Sequence, residues 1–457
     1  MYSGIGRTGA LDERKFVDDG GISMRAKIRS QLRGSLSRGG AGRQMITVLT
    51  GTGFAQLITL FSAPILTRLY DPDQYGVYST VAGICALAAV GATGRYESSI
   101  IIPTGEREAT ACLKLSLRIA GFVSVGLLLL VTIAGGTILK ILGLSVNDGL
   151  LYAVPMYTLF GGAYQAGYAW LVRTGSFAAI SVGRIGAAAV SAVVALGIGL
   201  LHPDASGMVA GLLAGQAFAC ILFLRNLDDK VWGMLGEVTR TTMWSTAIRF
   251  RRFPLYAVPA DLCNAATQQM PAILLLTQFG PGAAGLYALT QRMFNLPISL
   301  LSSSILDVFK KRAADDLAAW GECRGIFLKT MLFLGCLALI PLGAILFAAP
   351  PVFRLAFGPE WERSGVFAQI LAPMFFFRFV ASPLTCLLYL TERQRLDLAG
   401  NVAMLAVSSA GIFIGAFYHS VELGLAVYSG GGSLMYAVYL VVSYQCARNP
   451  NVRCKVS

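Results

Sequence analysis

Charge is what this chain has least of. Only 13% of its 457 residues are Asp, Glu, Lys or Arg, whereas 55% are hydrophobic. Soluble domains carry roughly a quarter charged residues, so a water-soluble globular protein is excluded first. Histidine occurs twice, at His202 and His419, and the nine cysteines form no CxxC pair. That leaves no disulfide framework, no metal site and no cofactor to expect. A GxxxxGK[ST] loop is missing, which excludes a P-loop ATP motor within the chain. The first 44 residues are polar and basic without an apolar core, so no cleavable signal peptide is expected. Acids between the apolar runs on the side poorer in Lys and Arg are scattered: Asp71, Asp73, Asp148, Asp204, Glu360, Glu362 and Glu422. A membrane glycosyltransferase or polymerase places catalytic acids and bases on large loops, and such loops are absent, so an enzyme is not expected.

What the chain has is apolar length. A spanning helix needs about 20 mostly apolar residues. Runs of that kind lie near 46–68, 76–95, 115–139, 149–171, 177–200, 207–225, 254–277, 284–306, 326–349, 366–389, 397–418 and 423–445. The expected fold is therefore all-α and polytopic, with about twelve transmembrane helices. If the amino terminus is cytoplasmic, thirty Lys and Arg fall on the inner side and four on the outer, namely Arg68, Lys140, Arg354 and Arg363. The bias follows the positive-inside rule, so both termini are expected in the cytoplasm of a cell whose plasma membrane holds the protein. The net charge of +13 is then a topology signal and an affinity for anionic lipid rather than for nucleic acid.

The longest inner connection, 226–253, divides the runs six and six. The expected organisation is a basic tail (1–44), a first six-helix lobe (45–225), a cytoplasmic linker (226–253), a second six-helix lobe (254–445) and a cytoplasmic end (446–457). Because six is even, both halves would run in the same direction. A repeated phrase supports this: YDPDQYGVYS at 70–79 returns as FGPGAAGLYA at 279–288, pairing Pro72 with Pro281, Gly76 with Gly285 and Tyr78 with Tyr287. Both copies fall at the turn between the first and second helices of a half. The expectation is two parallel repeats related by a pseudo-two-fold axis along the membrane normal. The prolines would interrupt the chain there, the glycines would permit close backbone approach, and Tyr70, Tyr75, Tyr78 and Tyr287 would join the interfacial aromatic belt. FGPEWERSGVF at 357–367 is a looser third copy. In the tail, Met24, Ile28, Leu32 and Leu36 recur every four residues among arginines and a lysine. That pattern fits either a short amphipathic helix on anionic lipid or a disordered tail.

Polar residues inside the spans need a reason, because a charge at mid-bilayer costs about 2.5–3.5 kcal/mol on insertion scales. Arg184, Arg292 and Arg378 stand within apolar runs. They can line a wet cavity that attracts an anionic substrate, or pair with Asp261 or with carbonyls at helix kinks. The seventh run carries Asp261, Asn264 and Gln268 at i, i+3 and i+7, on one helical face, among three prolines that favour bending. Asn264 and Gln268 fit a substrate-facing stripe or interhelical hydrogen bonding, and Asp261 a coupling-ion site or an arginine partner. Arg95 and Glu97 end the second run on the inner side. Two positions apart on a helix they do not face each other, so no pair between them is expected. They remain candidates for an inner gate or a head-group contact.

The stretch LLLTQFGPGAAGLYALTQRMFNLPISLLSSSILDVFKKRA resembles the seventh-to-eighth helix region of bacterial oligosaccharide flippases: Phe279, Gly280, Gly285, Tyr287, Arg292, Pro297, Val308 and Phe309 match that family's pattern. ILTRLYDPDQYGVYS and GRYESSIIIP are similar to its first two helices, and the FGPEW turn to its tenth-helix start. The resemblance covers nearly the whole chain after residue 44, with diffuse motifs. It implies a two-lobed member of the multidrug, oligosaccharidyl-lipid and polysaccharide exporter superfamily. The implied substrate is an undecaprenyl-diphosphate-linked oligosaccharide, moved across the inner membrane for O-antigen, capsule or exopolysaccharide synthesis. Partners expected in that setting are the polyprenyl-diphosphate-linked glycan, anionic lipid at the tail, a polysaccharide polymerase and glycosyltransferases. A cation-coupled drug antiporter of the same superfamily is the alternative. It calls for an embedded acid in the first half, and none lies mid-membrane between residues 46 and 225. A membrane polymerase is the remaining alternative.

Overall fold

The computed structural model describes residues 40–143, 148–391 and 393–448, so the amphipathic stretch expected at 24–36 lies outside the described residues. The described chain folds into α1 (Gly40–Leu69), α2 (Pro72–Gly91), α3 (Glu106–Leu142), α4 (Ala153–Thr174), α5 (Phe177–Leu201), α6 (Ala205–Arg225), α7 (Asp229–Glu237), α8 (Arg240–Arg249), α9 (Val258–Phe279), α10 (Pro281–Trp320), α11 (Arg324–Phe357), α12 (Glu362–Leu384), α13 (Cys386–Leu390), α14 (Gln394–Phe417) and α15 (Val421–Arg448). The twelve long helices coincide with the twelve apolar runs. Among the described residues nine of them are long and apolar enough to cross a bilayer. The other three, α4, α9 and α10, carry Gln165, Gln268 and Arg292 within their length.

Helix pairing repeats along the chain. In the first six long helices, α1 packs on α5, α5 on α6, α6 on α4, and α4 on both α3 and α2. In the second six, α9 packs on α14, α14 on α15, α15 on α12, and α12 on both α11 and α10. Each pairing recurs six long helices later. The two sets meet mainly through α2, which lies against both α9 and α10.

The repeated phrase is where they meet most closely. A Cβ placed on Gly76 would stand 1.8 Å from the carbonyl oxygen of Pro281, and one on Gly285 would stand 1.9 Å from that of Pro72. The relation is reciprocal, as a local two-fold axis produces. Pro72 and Pro281 occupy the first turns of α2 and α10, where a missing N–H costs nothing. The preceding positions differ. Asp71 caps α2 with a capping box to Gln74, while Gly280 takes φ +87°, a conformation few side chains tolerate. Trp361 of the third copy joins the closure: it is fully buried, its indole N–H donates to the Thr67 carbonyl at 2.9 Å, and its ring meets Tyr75 edge-on at 5.4 Å. We call this end of the bundle the turn end and the opposite one the basic end.

Two expectations need correction here. Tyr70, Tyr75 and Tyr287 do not form a lipid-facing belt, since each is at most 2% exposed. Tyr70 donates to the Ala195 carbonyl at 2.7 Å, in a space that Gly199 and Gly207 leave open for its hydroxyl. The second helix ends at Gly91 rather than near 95, because Gly94 and Arg95 both adopt left-handed backbone (φ 59° and 61°) before a 3₁₀ turn at Tyr96–Ile101. The linker also contains helices. Lys114 of α3 donates to the carbonyls of Leu235 and Val238, at 2.5 and 2.9 Å, and so satisfies the carboxy-terminal end of α7. Arg249 of α8 pairs with Glu108.

The crossing predicts a position-specific sensitivity. Gly76→Ala and Gly285→Ala are each expected to destabilise by about 1–3 kcal/mol through overpacking against backbone. Gly91→Ala, in open space, is expected to leave the thermal midpoint in detergent unchanged. Equal midpoints for all three variants would contradict the contact.

Candidate functional site between the two sets of helices

Toward the middle of the bundle the two sets separate and leave a chamber of two adjoining cavities, each of about 400 Å³. Both are lined by Thr59 of α1, Ser79 of α2, Gln269 of α9, and Ala288 and Arg292 of α10. The first extends toward α5 and α6 and gains hydroxyls from Ser62, Tyr75, Tyr78 and Ser191. The second extends toward α12, α14 and α15, past Gln268, Gln291 and Asn295 to Arg378, Tyr428 and Tyr436. Among the described residues neither lining includes an Asp or Glu.

Arg292 stands where the cavities join. Its guanidinium donates to the Tyr75 hydroxyl and to the Thr59 carbonyl, both at 2.9 Å. A guanidinium has five N–H donors, and these two fix its plane while leaving others for the chamber. The residue thus lines the cavity and also binds a carbonyl of the other set of helices. Arg378 lies over the Phe375 ring, 5.8 Å from its centroid, and has no hydrogen-bond acceptor among the described residues. Tyr287 accepts from the Gln291 amide and so orients it along the same wall.

The remaining candidates lie elsewhere. Arg184 donates to the Thr52 hydroxyl and covers the Tyr168 ring at 5.3 Å. It lines neither cavity, whereas Ala188, one turn on, lines the first. Asn264 does not join Gln268 at the chamber. It lines a separate pocket of about 430 Å³ near the basic end with Asp261, Arg252, Tyr389, Asp397 and Asn401. The i, i+3, i+7 stripe is real, but it runs along the helix axis for roughly 10 Å at 1.5 Å per residue. One side chain therefore meets the chamber and the others meet the basic-end pocket. The prolines expected to bend this region accompany a π-helical turn, Phe253–Ala257, before α9.

At the basic end Arg95 of the first set reaches Asp261 of the second at 2.7 Å. Asp261 is therefore an arginine partner in this state. Arg95 also lies 3.5 Å from Glu97, contrary to the expectation of no pair. The helical-face rule does not apply where left-handed backbone at Arg95 turns its side chain back along the chain. Glu97 is buried and accepts from the Thr93 hydroxyl. Tyr96, next to Arg95 in sequence, donates to the Ala247 carbonyl of α8 at 3.1 Å, and burial raises its pKa. Burial, and secondarily Asp204, does the same for Tyr70 at the opposite end.

Sequence reasoning missed Gln269, Gln291, Asn295 and the tyrosines of the chamber. Tyr75 and Tyr287 were visible in the repeat but read as belt residues. Tyr428 and Tyr436 are one part of an aromatic-rich helix and carry no spacing that marks them.

Two kinds of cross-set bond predict two magnitudes. A double-mutant cycle on Arg292→Ala and Tyr75→Phe, read as thermal stability in detergent, is expected to give a coupling of about 1.5–3 kcal/mol, as for a buried hydrogen bond to a charge. The same cycle on Arg95→Ala and Asp261→Ala should give only about 0.2–1 kcal/mol, because both side chains are about one-third exposed. The reverse order would overturn this assignment of strengths.

Comparison with known proteins places this geometry. The fold is similar to that of the lipid II flippase MurJ in an inward closed conformation, with a TM-score of 0.67, 11% identity, and coverage of 88% of this chain and 87% of that one. It is also similar to an inward-facing multidrug resistance MATE transporter, with a TM-score of 0.61, 12% identity, and coverage of 87% and 94%. A transporter from Pyrococcus furiosus, described by the reverse polarity of its binding pocket, matches at 0.53 with 11% identity over 90% and 97%. The latter two are described as members of the MOP superfamily. No curated protein is detectably similar in sequence. Residues 65–366 match the family described as polysaccharide biosynthesis protein, and that match, about two-thirds of the chain, shows that this multi-pass membrane protein belongs to it.

Proposed function

We propose that the protein is a flippase that moves a polyprenyl-diphosphate-linked oligosaccharide, carried on undecaprenol, across the bacterial inner membrane for O-antigen, capsule or exopolysaccharide synthesis. The observation that carries this reading is the charge of the chamber: Arg292 and Arg378 line it and, among the described residues, no carboxylate does. Arginine suits a diphosphate because its planar fork donates bidentate hydrogen bonds. The hydroxyl- and amide-rich walls supply partners for sugar hydroxyls. The family and the structural neighbours are likewise exporters and flippases rather than enzymes.

The mechanism follows from two unequal closures. Residues 45–225 and 254–445 act as two lobes that rock about the chamber. In the present state the turn end is shut by backbone-to-backbone packing and buried aromatic contacts. The basic end is bridged by the Arg95–Asp261 ion pair. Breaking that pair opens the chamber toward the cytoplasm, where the substrate is made and where both termini lie. Glu97 orients Arg95, and Asn264 stands beside Asp261. Arg184, held to Thr52, stiffens the first lobe and does not touch substrate. Outward movement of two negative charges down an inside-negative potential of about 100 mV gains at most about 4.6 kcal/mol, from about 2.3 per charge, so transport can proceed without ATP. The anionic lipid expected at the basic tail would hold the cytoplasmic end at the membrane.

A drug–cation antiporter is the competing reading, and among the described residues the chamber gives it no carboxylate to neutralise a cation. In reconstituted vesicles, Arg292→Ala and Arg378→Ala are expected to reduce flipping of lipid-linked glycan at least tenfold each, a barrier increase of about 1.4 kcal/mol. Efflux of a cationic drug should be absent from wild type. Normal glycan flipping by both variants, together with measurable drug efflux, would favour the antiporter.

A further inference from the structure

Behind one wall of the chamber lies a space to which the transport cycle assigns no task. Between α10, α11 and α12 runs a groove of about 500 Å³, and every described residue that lines it is apolar. Its volume is in the range of small-ligand sites. It opens on the outer side of α11, where Ile340 is 75% exposed.

The wall between groove and chamber is made by α10 and α12, which each turn one face to either space. On α10, Arg292 and Asn295 line the chamber while Met293 and Phe294 line the groove. On α12, Arg378 lines the chamber while Phe375 and Phe379 line the groove. A pair of rings from the two helices meets in this wall. Phe294 and Phe375 stack at 3.9 Å with 7° between their planes, and the Arg378 guanidinium rests 5.8 Å from the Phe375 centroid. Among the described residues, a cation without a hydrogen-bond acceptor and an apolar slot are therefore both in contact with one aromatic side chain, Phe375. The ligand chemistry that fits both is an anionic head joined directly to a hydrocarbon chain. The chamber mixes apolar residues with two arginines, hydroxyls and amides, so a hydrocarbon chain left there would desolvate polar groups, whereas the groove buries it among apolar side chains at about 25 cal/mol per Å².

We infer that this groove seats the isoprenoid units next to the diphosphate of the carrier lipid, with Phe294 and Phe375 as the sill over which the chain leaves the chamber. The inference rests on the lipid-linked substrate proposed above and adds the place where its head and tail part. The diphosphate stays at Arg378, the glycan occupies the chamber, and the remaining tail lies in the bilayer.

The test uses the full-length protein in lipid nanodiscs and a polyprenyl diphosphate carrying a diazirine on the isoprene unit beside the diphosphate. After photolysis, label is expected on 337–345 of α11 and 375–379 of α12, competed by unlabelled polyprenyl diphosphate and not by phosphatidylglycerol. Leu342→Trp, and independently Ile345→Gln, should lower that label about tenfold, as expected for loss of contact with two buried methylenes. Gel filtration and thermal unfolding identify any variant that fails to fold. Label confined to the chamber and lost in Arg292→Ala would overturn the groove and leave the flippase reading standing. Equal competition by phosphatidylglycerol would make the groove an ordinary acyl-chain slot and also overturn it. If no saturable label appears anywhere, both readings fall.

Discussion

Two carbonyl oxygens and two missing side chains set how near the halves of this protein can come. The Pro72 carbonyl lies where a Cβ of residue 285 would be, and the Pro281 carbonyl where one of residue 76 would be. Helices that meet at backbone distance bring every neighbouring side chain to a fixed place. Tyr75 is one residue before Gly76 and lies within reach of Arg292, seven residues after Gly285. Trp361 closes over Tyr75 and bonds the end of α1. The chamber begins where that crossing ends, so its depth and the direction of Arg292 both follow from the same contact. Dispersion at such a distance supplies much of the helix association available inside a bilayer, where water does not drive apolar surfaces together.

The arginines illustrate how a membrane interior holds charge. A guanidinium removed from water needs partners, and three solutions appear in one chain. Arg184 takes a hydroxyl and a ring, Arg292 takes a hydroxyl and a carbonyl across the interface, and Arg378 takes a ring. The first is satisfied within its own set of helices. The third is satisfied least, and it stands between the polar chamber and the apolar groove. Asp261, the acid closest in kind to a partner for these cations, is instead engaged with Arg95 at the basic end. That separation leaves the chamber free of negative charge.

The repeated phrase and the twelve long helices were legible because each rests on a local rule: the conformational freedom of glycine and apolar length. Arg292 and Arg378 stood out through the cost of an embedded charge, and both line the chamber. The match over residues 65–366 agrees with the family resemblance of the Phe-Gly turn and the residues around it. The pairing of Arg95 with Glu97 was not legible, because a helical rule was applied to residues that leave the helix through left-handed backbone. The tyrosines were misplaced for a related reason. A turn at a span end suits either an interface belt or a buried seam, and only knowledge of what packs against the turn separates them.

The order of residues by itself determined where the twelve long helices lie and which side chains are too polar to face lipid. These depend on hydropathy and on spacing along one helix. Only tertiary structure decided which polar residues share a space. Asn264 and Gln268 lie on one face of one helix, yet they meet different cavities because the surfaces opposite that face change along its length. Arg95 and Asp261, 166 positions apart, become neighbours through the packing of α2 beside α9. A site built between helices takes its chemistry from their mutual placement, which no single helix encodes.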